Sequence, residues 1–457
     1  LELNETTANS GDASDPRRPL TTLSLTCLVV ANMIGVGVYT SSGYALASLQ
    51  DPGRVVWVWG IAGLIAIAGA FSYSGLAKQV SESGGEYLFL ARGVHPLAGF
   101  MAGWISLVAG FSGAVGLSAL AFADHLPALD PSYRLPIAIG LVLIVSLLNW
   151  IGIGPTAKIQ NGMVLVKLAI LVAFGFLGIA TLLQPSESMD AGANLSAIPV
   201  PWEWGAVAST LMWVSFSYAG YNAAIYIAGA ARNCQASVPR AMVWGTLGVT
   251  LLYVLLNAVF VFVIPPQAFT DDNRGQVALL AASYVGGPWL VEIIRLTILV
   301  SLATSVIAMT QIGPHVYGQM ARDGLLPKWL ETAQATPRSG IVLQGVIVIF
   351  LIVNSSFLGL LDYLAFLLSI SSAATVACLF LPAFRGTRGN RPVVLWPVLP
   401  AFFVIVTLAI AGYAFHFRWT TDSAGVLKAL IVLPLGLVVY GLVKLTRSPV
   451  SPIAPPK

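Results

Sequence analysis

Apolar residues in this chain run in blocks of roughly 20 residues or more, the length that a hydrocarbon core of about 30 Å demands of a helix. Twelve such blocks fall at approximately 21–48, 55–79, 98–123, 135–152, 158–183, 204–231, 241–264, 289–313, 341–357, 362–381, 395–416 and 427–445, and each predicts a membrane-spanning helix. Two are interrupted. The first is broken by Asn32-Met33-Ile34-Gly35-Val36-Gly37-Val38-Tyr39, and the sixth by Phe216-Ser217-Tyr218-Ala219-Gly220-Tyr221-Asn222. A spanning helix keeps its backbone hydrogen bonds internal, because an unpaired N–H or C=O in lipid costs several kcal/mol. A break at mid-membrane therefore serves something other than spanning. Gly35 and Gly220 are 185 residues apart, a spacing that suits two halves of a duplicated core. Interrupted helices at matching positions of two halves point to a binding site near the bilayer midplane.

Composition agrees with the pattern. Charged residues make up 9% of the chain and hydrophobic residues 57%, with a mean hydropathy of +0.83, which leaves too little polar surface for a water-soluble fold. The net charge of +4 follows from where the cations lie. With the N-terminus in the cytoplasm, inner segments hold 16 of the 23 Lys and Arg residues, outer segments hold five, and Lys167 and Arg295 fall within spans. That asymmetry predicts cytoplasmic termini. No basic run is interleaved with aromatics, so nucleic-acid binding has no support. Residues 1–20 are polar and acidic rather than a basic-then-apolar leader, and read as a disordered cytoplasmic tail. Cys27, Cys234 and Cys378 all avoid outer loops, so no disulfide to an extracellular partner is expected.

Two inner loops stand out. Ser81-Glu82-Ser83-Gly84-Gly85-Glu86-Tyr87-Leu88-Phe89-Leu90-Ala91-Arg92-Gly93 is amphipathic and is expected to lie on the cytoplasmic face. Met320-Ala321-Arg322-Asp323-Gly324-Leu325-Leu326-Pro327-Lys328-Trp329 and then Thr336-Pro337 carry the Pro and Gly of turns after a short helix. With the two breaks, Val238-Pro239-Arg240-Ala241, and Arg391-Pro392 leading to Trp396-Pro397-Val398-Leu399-Pro400, these segments resemble, in order and spacing over residues 20–400, the amino acid–polyamine–organocation (APC) superfamily. The resemblance implies an all-α, LeuT-type architecture of twelve helices, a 5+5 inverted repeat plus two. Its expected divisions are a tail (1–20), a first repeat (21–183), an outer loop (184–203), a second repeat (204–381), spans eleven and twelve (382–446) and a cytoplasmic tail (447–457).

A mid-membrane break exposes N–H groups at the start of one half-helix and carbonyls at the end of the other, and an amino acid zwitterion needs both. The N–H groups around Val36, Gly37 and Val38, with the half-helix dipole, would hold a carboxylate. Carbonyls near Ala31, Asn32 and Ile34, with those of Phe216, Ser217 and Ala219, would hold an ammonium, and Gly35 and Gly37 allow close approach. The plainer alternative is that these glycines only let two helices pack closely. Of the aromatics at the second break, Phe216, Tyr218 and Tyr221, one is expected to close over the substrate, and the resemblance points to Phe216 as an outer gate. Ser112, Ser369 and Ser371 either line the pocket or bond within their own helices.

Lys167 lies nine residues beyond Lys158, about 13 Å deep at 1.5 Å per residue, where an ammonium needs a partner or a task. In sodium-independent relatives, the resemblance implies, a lysine on span five stands in for a sodium ion between spans one and eight. Here that lysine is Lys167, expected to touch a carbonyl beside Gly35 and the Ser305 hydroxyl and, as the coupling residue, to carry a proton. A structural or snorkelling lysine is the alternative. Arg295, three residues after Glu292, reads as local charge compensation, and Asp362 as interfacial. One departure is notable: where relatives carry glutamate at the inner end of span six, this chain has Gly229-Ala230.

Nothing supports an enzyme. There is no Gly-x-Ser-x-Gly elbow or phosphate-cradling loop, and His95, His125, His315 and His416 are scattered, so no catalytic residue, metal site or cofactor is expected. No repeated filter segment suggests a channel. The expected function is sodium-independent secondary transport of neutral L-amino acids by alternating access, with proton coupling. An amino acid or amine exchanger and a non-transporting amino acid sensor are the alternatives, the latter disfavoured by short tails. No buried carboxylate is evident near the breaks, which disfavours cationic substrates. The loop 124–134 lacks a cysteine, so no disulfide-linked heavy subunit is expected, and a prokaryotic inner membrane is the expected location.

Overall fold

The computed structural model of the protein describes residues 20–80, 82–127, 130–152, 157–184, 202–331, 337–384 and 392–446. Residues 1–19 and 447–457 of the expected tails, most of the loop 184–203, and Ser81, Thr336 and Arg391 lie outside the described residues.

The described chain is all-α apart from a single bridge. In chain order it forms α1 (Thr22–Met33), α2 (Val36–Leu49), α3 (Pro52–Ala77), α4 (Glu86–Gly93) and α5 (Pro96–Ile105). A π-helical segment, Ser106–Gly113, runs from α5 into α6 (Ala114–Asp124), followed by α7 (Arg134–Trp150), α8 (Ala157–Leu182) and α9 (Trp204–Ser217). A short 3₁₀ segment, Ala223–Ala230, precedes α10 (Cys234–Val263), α11 (Val277–Arg322), α12 (Arg338–Asn354), α13 (Phe357–Ala377), α14 (Val398–Thr421), α15 (Ser423–Leu430) and α16 (Val432–Thr446). Among the described residues, nine helical stretches, counting α1 with α2, are long and apolar enough to cross a membrane. Large side chains such as Trp57, Trp244, Leu251 and Phe350 face outward, as a lipid-facing surface requires. The protein is an integral, multi-pass membrane protein.

Local chemistry explains where helices begin. The Thr21 hydroxyl caps α1 by accepting from the Ser24 N–H, and Asp51 caps α3 with Pro52 at its first position. The first span ends α1 at Met33, turns through Ile34 and Gly35, and restarts at Val36. The sixth stops at Ser217 and resumes as the 3₁₀ segment. α3 packs along α10, α1 against α10 and α8, and α2 against α9, so the two breaks sit side by side.

Two expectations change. The 82–93 stretch does not lie on a face: Glu86, Tyr87, Leu88, Phe89, Leu90 and Ala91 are all buried, because α4 folds into the bundle against α5 and α13. The eighth span begins earlier than its apolar block. α11 starts at Val277 and bends at Gly287, whose φ of 69° redirects the chain before Pro288. At the opposite end of the bundle from that bend, the Leu20 N–H donates to the Ala230 carbonyl at 3.1 Å and the Arg232 N–H to the Leu20 carbonyl at 2.9 Å.

Candidate functional site

Gly35 has extended geometry and heads α2, so the N–H groups of Val36, Gly37 and Val38 are first-turn donors without helical partners. A Cβ on Gly37 would collide with Ser217 of α9, so at this position only glycine lets the two spans touch. Gly220, at φ +104°, abuts the Asn32 backbone, where a Cβ would come within 2.9 Å of the carbonyl carbon. Both the positive φ and the close approach require glycine. The Tyr253 hydroxyl, reaching across from α10, lies 2.5 Å from the Met33 carbonyl oxygen and 3.3 Å from that of Ser217. It supplies a donor shared by one carbonyl at each break, of which that of Met33 also accepts from the Gly35 N–H at 2.9 Å.

A cavity of about 150 Å³ opens between the breaks. Asn32, Met33, Gly35, Val36 and Gly37 line it from the first span, and Phe216, Ser217, Ala219, Gly220, Tyr221 and Asn222 from the sixth. Ser305 and Met309 of α11, Ser369 and Leu368 of α13 and Phe111 of the π segment also line it. Of the residues singled out in the sequence, Ala31, Ile34 and Val38 are buried behind the wall rather than on it. Ser112 is also off the wall, and Ser371 stands behind it.

Lys167 is not on the wall either. It is buried, 2% exposed, and its Nζ donates to the Ile34 carbonyl at 3.3 Å, directly at the first break. Ser305 Oγ instead donates to the Ala31 carbonyl at 3.5 Å. Lys167 and Ser305 therefore attach to neighbouring carbonyls of the same turn. Arg295 pairs with Glu292 at 3.3 Å and also donates to the His125 carbonyl at 3.2 Å. Asp362 does more than sit at an interface: Arg418 of α14 bonds it at 2.6 Å and the Trp213 indole at 2.5 Å, tying α13, α14 and α9 together. At Gly229-Ala230, backbone contacts stand where an ion pair was missed, the Gly229 N–H donating to Ser83 Oγ at 3.0 Å.

The residue that sequence reasoning missed is Glu86. It lines the cavity, is 3% exposed, and accepts four hydrogen bonds. Burial pushes its carboxyl above the ordinary value, and bonds from Tyr73, Ser371, Ser106 and Asn222 pull the other way. The expectation that no carboxylate stands near the breaks is corrected: α4 folds inward and brings one there. The available signal was an acidic residue directly after a Gly-Gly pair on an otherwise apolar run.

Comparison with known proteins agrees with this geometry. The family profile described as "Amino acid permease" matches residues 20–440. The chain is 26% identical to the branched-chain amino acid permease BcaP of Bacillus subtilis, over 95% of this chain and 94% of that protein. It is 22% identical to the mouse b(0,+)-type amino acid transporter 1, over 84% and 80% of the two chains. It is 23% identical to the human large neutral amino acids transporter small subunit 2, over 83% and 72%. A family match across more than nine-tenths of the chain, with paired helix breaks around a buried cavity, places it among transport proteins rather than enzymes: the chain belongs to the amino acid permease family of the APC superfamily.

Proposed function

We propose that the protein is a sodium-independent secondary transporter of neutral L-amino acids, proton-coupled, with the LeuT-type arrangement of two inverted five-helix repeats and two further spans, both termini cytoplasmic, in a bacterial inner membrane. The observation that carries this reading is the meeting of the two breaks at one cavity with the Lys167 ammonium against the Ile34 carbonyl. The first-turn N–H groups of Val36 and Gly37 face the substrate carboxylate, with Val38 behind them, and the carbonyls at the ends of α1 and α9 face its ammonium. Phe216 is the outer gate. Lys167 takes the place of a sodium ion beside the carbonyls of the first break, so binding needs no added metal.

The wall suits an apolar side chain, with Met33, Ile65, Phe111, Met212 and Leu368 around it. Glu86 is fully occupied by its own donors and leaves no oxygen open for a second substrate cation. Transport follows if the first, second, sixth and seventh spans rock against the rest around the site, provided the substrate contacts the occluded form better than the open ones. The names of the similar permeases, which specify branched-chain and large neutral amino acids, support the same class.

The test is uptake of a panel of labelled amino acids into sodium-free proteoliposomes, with an inward proton gradient on or off. Stimulated accumulation of neutral amino acids supports the reading. Uptake only into preloaded vesicles would make the protein an exchanger, and binding without any uptake a sensor.

A further inference from the structure

We infer that the Glu86 carboxyl is the proton-binding site of the transport cycle, a clasp whose two oxygens are held by the two bodies that move apart. The inference rests on the transport reading above and assigns the coupling proton to a specific atom.

The bonds divide by oxygen. Tyr73 Oη of α3 donates to Oε1 at 2.5 Å, and Asn222 Nδ2, at the sixth-span break, donates to the same atom at 3.2 Å. Ser106 Oγ of the π segment and Ser371 Oγ of α13 donate to Oε2 at 3.4 and 3.1 Å. Tyr73 and Asn222 belong to the second and sixth spans, which move together in the rocking description. Ser106 and Ser371 belong to the third and tenth, which do not. An ionised carboxylate is acceptor-only with about four lone-pair sites, and here two donors from each body fill them.

α4 itself packs on α5 and α13, so Glu86 stays with Ser106 and Ser371 when the bodies part. Oε1 then loses both donors at once. A buried carboxylate oxygen without donors, and without a basic side chain in ion-pair range among the described residues, is too costly to remain charged and takes a proton instead. The titratable groups facing it are phenols, Tyr73 on α3 and Tyr221 and Tyr226 beyond α9. The π segment and α13 present only serines to it, and Tyr87 of its own helix bonds Asp323. No neighbouring cation substitutes for the proton. A proton that reaches the cavity from one side displaces the Oε1 donors, lets the bodies separate, and leaves to water on the other side. No covalent bond forms or breaks beyond the O–H.

The test uses the full-length protein in proteoliposomes with tritiated L-leucine. It reads the ratio of uptake with an inward pH gradient to uptake at symmetric pH, and, as a measure of folding, exchange of internal for external leucine. Wild type is expected to give a ratio well above one. Glu86→Gln is expected to bring the ratio to one and to flatten its dependence on external pH. Ser371→Ala, which keeps the carboxyl and removes one donor, is expected to keep the stimulation with its pH midpoint raised by about one unit. Stimulation that persists in Glu86→Gln overturns the proposal, as does an unmoved midpoint in Ser371→Ala. So does a Glu86→Gln protein whose only defect is weaker inhibition by arginine, which would make Glu86 a substrate contact. Wild type that exchanges no leucine overturns the transport reading itself, a failure distinct from any loss confined to the gradient ratio.

Discussion

The Tyr253 hydroxyl lies 2.5 Å from the Met33 carbonyl and 3.3 Å from that of Ser217, so one side chain of α10 joins the ends of both broken spans. The Met33 carbonyl also accepts from the Gly35 N–H at 2.9 Å, so the hydroxyl matters most to the Ser217 carbonyl, where a buried acceptor left without a donor costs about 1–3 kcal/mol. Tyr253→Phe keeps the ring and removes the donor. Its expected outcome is a lower unfolding temperature in detergent and an uptake rate reduced about tenfold. Unchanged stability and rate would show that water or substrate satisfies the carbonyls without it.

The two glycines of the first break are not equivalent. A Cβ on Gly35 has as its nearest neighbour the Ser305 hydroxyl at 3.8 Å, an ordinary contact, whereas on Gly37 it would overlap the Ser217 side chain and backbone. Overpacking of this kind costs roughly 1–3 kcal/mol. Gly37→Ala is therefore expected to lower thermal stability and abolish substrate binding, with Gly35→Ala much milder on stability. Parallel melting curves for the two variants decide it, and equal losses would contradict the packing described.

His125 closes α6, with Nδ1 2.8 Å from the Ala121 carbonyl, and burial lowers its basicity below the ordinary histidine value. The sign follows from linkage. Below about pH 6.5 the unfolded chain takes up a proton that the folded chain resists, so stability falls as pH drops through that value. His125→Gln is expected to remove this component, so the stability difference between the two proteins should widen in the variant's favour from pH 7.5 to 5.5. A difference independent of pH would mean that the ring is protonated as readily in the folded protein.

Asp362 joins Arg418 and Trp213 across three helices. Truncating one partner strands the other in a half-buried position, so Arg418→Ala is expected to be more destabilising than Asp362→Asn with Arg418→Gln together. Thermal melts of the single and double variants test this, and additive losses would argue against coupling.

Much of this organisation was legible in the chain because bilayers impose simple length rules. The two breaks, the helical blocks and Lys167 at mid-depth all follow from where apolar runs stop or carry a charge. What the sequence concealed came from tertiary folding of short segments. Residues 86–93 have the amphipathic pattern of a surface helix, and only packing against α5 and α13 reveals that both faces are buried and that Glu86 enters the cavity. The role of Tyr253 was equally hidden, since a tyrosine in an apolar run is indistinguishable from an interfacial anchor until its hydroxyl is placed. Ile34, in the turn, and Val38, on the first turn of α2, are both fully buried away from the cavity, and the apolar pattern around the break does not tell the cavity side from the packed side.

Lys167 is the most telling single position, since its Nζ donates to the Ile34 carbonyl in the turn that joins the two halves of the first span. Charge-assisted hydrogen bonds contribute about 1.5–3 kcal/mol, which is roughly ten- to a hundredfold in rate. Leucine uptake into sodium-free proteoliposomes should therefore proceed with the wild-type protein and fall by at least tenfold in Lys167→Ala. Uptake that requires sodium in the wild type, or that is indifferent to loss of Lys167, would contradict sodium-independent transport supported by Lys167.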